Sequence, residues 1–138
     1  MSFVLDASVA LAWCFADEGG AYAPEVLEAL RGGEAFVPAH WALEVSNGLL
    51  VAERKHRITA QEATPVARLL LALPIAVEPH ERTRDLTATY RLARTRGFSS
   101  YDAAYLELAV RTGVPLATLD GELREAAVAE GVELFGRV

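Results

Sequence analysis

Four acids in this chain stand where solvation alone is a poor explanation for a carboxylate. Asp6 follows the apolar run Phe3-Val4-Leu5, which reads as a buried strand, so its carboxylate sits at the strand's carboxyl end. Asp120 ends a second such run, residues 116–119, and is preceded by Thr118 much as Asp6 is followed by Ser8. Glu44 shares a helical stripe with Trp41, Val45, Gly48 and Val51. Asp102 lies on the same helix side as Tyr105, Leu106, Ala109 and Val110, with Glu107 and Arg111 on the opposite, solvent side. Carboxylates seldom turn inward unless they are paired or bound to a metal. Four of them in one crevice need counter-charge, and oxygen-only ligands select hard cations, Mg²⁺ or Mn²⁺. Carboxylate-held Mg²⁺ keeps several waters and usually meets a phosphate, so phosphoryl chemistry is the expected use.

Each acid taken singly also suits a local role. Asp6 or Ser8 caps a following helix, Asp120 caps another, Asp102 sits in a first turn opened by Ser99 or Ser100, and Glu44 reaches water from the rim of its stripe. Convergence of all four on one crevice is the expectation that separates a site from a set of caps. Zinc is not expected, because His40, His56 and His80 lack paired ligand spacing and Cys14 stands alone in an apolar run.

The elements that must position these acids follow from punctuation. Helices are expected over 9–16, 24–31 (opened by Pro24 and stopped by Gly32-Gly33), 40–55, from Thr59 to Leu73, over 81–96 (stopped by Gly97), 101–111 and 122–129. Thr59 with Glu62 matches a capping box, and Pro65 is expected to bend or restart its helix. Strands are expected at 3–5, 35–37, 75–77, 116–119 and, fifth, 132–135. Such alternation implies right-handed crossovers and a mostly parallel five-stranded sheet between helix layers, a three-layer α/β/α fold in one domain, 1–138. The single cysteine suits a reducing cytoplasm. The apolar amino terminus lacks a basic segment and carries Asp6, so it does not read as a targeting signal, and no membrane span is expected. A net charge of −6 argues against holding nucleic acid by overall field. Arg54, Lys55, Arg57, Arg91, Arg94 and Arg96 are expected mostly on solvated helix faces, with a groove flank as the other role.

Taken together, Val4-Leu5-Asp6-Ala7-Ser8, Glu44-Val45-Ser46-Asn47, Ser99-Ser100-Tyr101-Asp102-Ala103-Ala104-Tyr105 and Ala117-Thr118-Leu119-Asp120 resemble the PIN-domain nucleases, and within them the VapC-type toxins of prokaryotic toxin–antitoxin pairs. The resemblance spans almost the whole chain in order and spacing. It implies a five-stranded PIN-like fold and hydrolysis of RNA phosphodiester bonds. It further implies that Asp6, Glu44, Asp102 and Asp120 are catalytic and bind one or two Mg²⁺ or Mn²⁺ ions, with Ser8 and Thr118 as supporting hydroxyls. A cognate antitoxin and a homodimer are the implied partners. Leu43 and Leu50, off the Trp41 stripe, offer a second apolar surface for a copy or an antitoxin, unless they are buried within the monomer. A receiver domain or haloacid-dehalogenase-type phosphatase also places an Asp after its first strand, but both need a late catalytic Lys, and the only lysine is Lys55. A catalytically degenerate PIN fold that only binds protein or RNA is the non-enzymatic alternative.

Overall fold

The computed structural model describes residues 1–15 and 17–136. At its centre lies β1 (Ser2–Leu5), whose Phe3, Val4 and Leu5 are fully buried, which is why this run carries no polar alternation. Around it stand β2 (Glu34–Pro38), β3 (Ile75–Glu78) and β4 (Leu116–Ala117), in the order β3-β2-β1-β4 and all parallel. Val4 pairs with Phe36 on one side and with Leu116 on the other. Beyond the strand, the Asp6 N–H still donates to the Ala117 carbonyl at 2.9 Å. This holds the start of the next turn against the end of β4.

Eight α-helices follow in chain order: α1 (Ala7–Ala12), α2 (Tyr22–Ala29), α3 (Trp41–Arg54), α4 (Ala60–Ala72), α5 (Arg82–Arg84), α6 (Tyr90–Arg96), α7 (Ser100–Thr112) and α8 (Gly121–Ala129). The chain runs β1→β2→β3 in one direction and returns from β3 to β4, so under the right-handed crossover rule α1 to α4 belong to one face and α5 to α7 to the other. The order reverses between β1 and β4, and the crevice at such a switch point opens at the strands' carboxyl ends. Among the described residues no helix is long and apolar enough to cross a membrane.

Several elements depart from the sequence expectations. The sheet has four strands, not five: residue Leu134 makes only an isolated parallel bridge to Leu116. β4 is two residues long, and its outer edge offers the N–H and carbonyl of Leu116, both taken at 2.9 Å by Glu133 and Phe135. Pro65 lies inside an unbroken α4, which starts from the Thr59–Glu62 capping box as expected. The helix expected over 81–96 is one helical run with a π-helical segment, Asp85–Thr89, between α5 and α6. The first helix ends at Ala12, short of the expected 16, and residue 16 lies outside the described residues.

Glu107 departs as well. Expected on the solvent side, it is buried, and accepts from Arg111 Nε at 3.0 Å while Arg84 Nε stands 3.5 Å away. The π-helical segment and α6 pack on the back of α7, so the helix is covered on more than one side from Ala103 to Ala109, whereas Val110, expected inward, is exposed. Leu43 and Leu50 are exposed, 73% and 40%, which excludes burial within the monomer.

Candidate active site at the carboxyl edge of the sheet

Asp6 is the deepest of the four acids, only 6% exposed at the end of β1. Two hydroxyls converge on one of its oxygens: Ser8 Oγ donates to Oδ2 at 2.6 Å and Thr118 Oγ1 donates to the same atom at 2.7 Å. Each hydroxyl is itself aimed by a backbone amide, Leu119 N–H donating to Ser8 Oγ at 3.0 Å and Asp120 N–H to Thr118 Oγ1 at 3.1 Å. A hydroxyl that accepts one bond directs its own hydrogen elsewhere, and here both hydrogens point to Asp6. Ser8 and Thr118 thus stitch the ends of β1 and β4 together through the carboxylate. Among the described residues no hydrogen bond engages Asp6 Oδ1.

Glu44 is held in the same manner. Tyr105 Oη donates to its Oε1 at 2.7 Å, and His40 Nε2 stands 3.1 Å from that atom, four residues back and therefore one turn away. Asp120 serves as N-cap of α8, its Oδ1 accepting from Glu122 N–H at 3.0 Å and Leu123 N–H at 3.4 Å. The cap reading of Asp120 is therefore correct as far as Oδ1 goes, and leaves Oδ2 without a partner among the described residues. Asp102 rides in the first turn of α7, half-buried, with its N–H donated to the N-cap Ser99 Oγ at 3.2 Å. Asp6 and Asp120 thus each have one oxygen tied by two donors, and Glu44 has one oxygen held by Tyr105 with His40 close by, while among the described residues the second oxygen of each accepts no hydrogen bond.

The charges feel one another. Burial pushes the Asp6 carboxyl up to about 6, against its two hydroxyl donors, and the negative charges of Glu44 and Asp102 push the same way. Asp102 is also raised, by burial and then by Glu44 and Asp120. Burial, Asp6 and Glu44 keep the Tyr105 phenol protonated far above its ordinary range, so it acts as a donor only. Burial alone would lower His40, yet the Glu44 carboxylate outweighs it and the imidazole is raised. The four acids therefore occupy one electrostatic neighbourhood drawn from β1, α3, α7 and the β4–α8 turn.

Tyr105 and His40 were not among the expected site residues. Their signal is helical spacing: Tyr105 lies three residues after Asp102 and His40 four before Glu44, positions that share a face. Among the described residues no three His, Cys, Asp or Glu side chains are already gathered tightly enough to clasp an ion. An all-oxygen set with free second oxygens nevertheless suits Mg²⁺, which is bound through a few carboxylates and completes its octahedron with water. The buried, mutually repelling charges supply the reason a cation is favoured there.

A model of the PIN domain matches residues 3–129. This chain belongs to the PIN domain family. Ribonuclease VapC12 of Mycobacterium tuberculosis is 33% identical to this PIN domain over 127 residues, 89% of this chain and 90% of that protein. Ribonuclease VapC3 of Pyrobaculum aerophilum is 30% identical over 125 residues, 91% of this chain and 94% of that protein. Among solved structures, PAE2754 from Pyrobaculum aerophilum superposes with a TM-score of 0.68 at 23% identity, covering 91% of this chain and 87% of that one. VapC20 of Mycobacterium tuberculosis, described as a Sarcin-Ricin loop cleaving toxin, gives 0.66 at 22% identity, covering 91% and 95%. The family resemblance read from the four motifs is borne out, and this PIN domain is a homologue of the VapC ribonucleases.

Thr118 offers a direct check on the hydroxyl frame. Thr118→Val removes the donor to Asp6 Oδ2 and the acceptor of Asp120 N–H in a fully buried position. Stability should fall by ~1–3 kcal/mol, the usual cost of stranding buried polar groups, as read by urea denaturation. An unchanged midpoint would show that the frame carries no load.

Proposed function

We propose that this PIN domain, as a single-domain protein, is a metal-dependent endoribonuclease that hydrolyses RNA phosphodiester bonds and serves as the toxin of a toxin–antitoxin pair. The observation that carries the reading is the repeated tethering of one carboxylate oxygen at Asp6, Glu44 and Asp120 while the other accepts no hydrogen bond among the described residues, beside a fourth acid, Asp102. Helix caps or buried acids alone give no reason for this pattern to recur three times in one crevice. Homology to ribonucleases along about nine-tenths of the chain supports it.

Asp6, Glu44, Asp102 and Asp120 would hold Mg²⁺ or Mn²⁺. When bound, the metal supplies an activated water and a counter-charge for the phosphate and leaving oxygen. The chain's own contribution is preorganisation. Ser8 and Thr118 hold the Asp6 carboxylate in one orientation, and Tyr105 and His40 hold Glu44, so these side chains do not reorganise when the scissile phosphate arrives. All four acids are present, which favours an active nuclease over a degenerate binding fold.

Purified protein should cleave single-stranded RNA in Mg²⁺ or Mn²⁺ and lose that activity in excess chelator, monitored on a labelled oligonucleotide. Cleavage that persists in chelator would remove the metal mechanism, and no cleavage in either metal would favour the degenerate fold. A homodimer is also proposed, on the exposed Leu43 and Leu50 of α3. The same face borders an apolar groove between α3 and α4 lined by Val45, Leu49, Leu70 and Leu71, which an antitoxin would otherwise fill. A monomeric mass by light scattering at micromolar concentration would rule out the dimer.

A further inference from the structure

Behind Glu44 and His40 the structure places two side chains, His80 and Asp85, that the nuclease reading does not use. Asp85 Oδ2 lies 3.1 Å from His80 Nδ1, His80 Nε2 lies 3.1 Å from His40 Nδ1, and His40 Nε2 lies 3.1 Å from Glu44 Oε1 and 2.9 Å from the Tyr101 carbonyl. The two imidazoles are nearly parallel, 10° apart with centroids at 5.1 Å. The members come from three places along the carboxyl edge: the β2–α3 turn and α3, the segment after β3, and the first residue of the π-helical run. We infer that His80 and Asp85 are positioning residues for Glu44, acting through His40 to hold the carboxylate for the metal. The inference rests on the nuclease reading of the acid cluster.

The bonding has a definite direction. His40 Nε2 faces a carboxylate and a carbonyl, both acceptors, so it carries a hydrogen; His80 Nδ1 faces a carboxylate, so it carries one too. The His40–His80 contact needs a third hydrogen between two ring nitrogens. Neither ring can flip without exchanging a donor for a carbon at two contacts. Glu44 needs such support, because its side chain is about one-third exposed and a glutamate held still gives up rotamer freedom. Groups that orient a ligand from behind commonly account for 10- to 100-fold in metal affinity.

The test is a double-mutant cycle read by Mn²⁺ binding, using electron paramagnetic resonance of the free ion, on wild type, His80→Ala, Glu44→Gln and the double variant. Thermal melts confirm that each is folded. His80→Ala should weaken Mn²⁺ binding by roughly 10- to 100-fold in the wild-type background, Asp85→Asn should weaken it in the same direction, and His80→Ala should change little once Glu44 is Gln. His80→Gln, whose amide retains a donor toward His40, should restore much of the affinity and serves as the probe if the alanine variant unfolds. Equal weakening by His80→Ala in both backgrounds, or none in either, overturns the positioning role while leaving the acid cluster intact. If wild type takes up no Mn²⁺, or Glu44→Gln binds as well as wild type, the acid-cluster reading fails and the inference falls with it.

Discussion

Asp6→Asn should lower RNA cleavage by at least ~10²–10³-fold, the range seen when one preorganised electrostatic group is deleted. Few substitutions in this molecule are as clean. Asn presents an oxygen to Ser8 and Thr118, so both hydroxyls keep an acceptor, and the change is confined to the loss of one negative charge at the bottom of the crevice. Asp6 follows the end of β1 and is almost fully buried, yet the variant should fold, because the strand's packing rests on Phe3, Val4 and Leu5. Single-turnover cleavage measured at saturating Mn²⁺ is the appropriate assay, since it separates weaker metal binding from a slower step. A variant retaining more than a tenth of wild-type activity would remove Asp6 from the mechanism.

The second large effect is on stability and has a defined pH window. An Asp6 carboxyl with a folded pKa of about 6 against an ordinary value of 3.8 stays protonated in the folded state after the unfolded chain has ionised. Between those two values the unfolded state binds fewer protons, so stability falls as pH rises through the window and the loss is complete above it. At ~1.4 kcal/mol for each pKa unit, the penalty at neutral pH is roughly 3 kcal/mol in metal-free protein. Asp6→Asn should therefore be the more stable protein in chelator at pH 7.5, by several degrees in Tm, and this advantage should vanish near pH 4. Asp102, raised in the same direction, acts alongside Asp6. His40, whose pKa is raised, contributes stability below the ordinary histidine range that is lost as pH rises through its folded value. Its share largely cancels in the difference between wild type and variant. Mg²⁺ should reverse the ranking, because wild type gains ~2.7 kcal/mol at a metal concentration 100 times its Kd whereas the variant gains less. Wild-type melts that superimpose with and without millimolar Mg²⁺ would falsify the idea of a shared cation site.

Local chemistry made much of this molecule legible in one dimension. Phe3-Val4-Leu5 has no polar residue to spare for solvent, so it had to be a covered strand, and the acid that ends it had to lie at the carboxyl edge. The Thr59–Glu62 box, the Ser99 cap of α7 and Gly97 and Gly113 at helix ends in left-handed conformation are contacts within a few residues, which spacing alone encodes. Asp6 and Asp120 stand out as acids that end apolar runs, and Glu44 and Asp102 as acids on apolar helix stripes, whereas the supporting roles of Ser8 and Thr118 come from the family resemblance.

What tertiary structure alone decided are matters of distance along the chain and of competition for partners. Tyr105 reaches Glu44 across 61 residues and Thr118 reaches Asp6 across 112, and no local rule says which oxygen of each carboxylate they take. Residues 132–135 have the apolar make-up of a strand, but a strand needs an edge to join. β4 breaks off after Ala117, where Thr118 bonds Asp6 and Asp120 begins α8. Glu107 lies where the helical period points away from the Asp102 stripe, and is buried because the π-helical run and α6 pack on that face and α5 brings Arg84 beside it. The Asp85–His80–His40 row has the same origin: three polar residues with no meaningful spacing become a single bonded unit only when β2 and β3 pair in register and carry their carboxyl ends side by side.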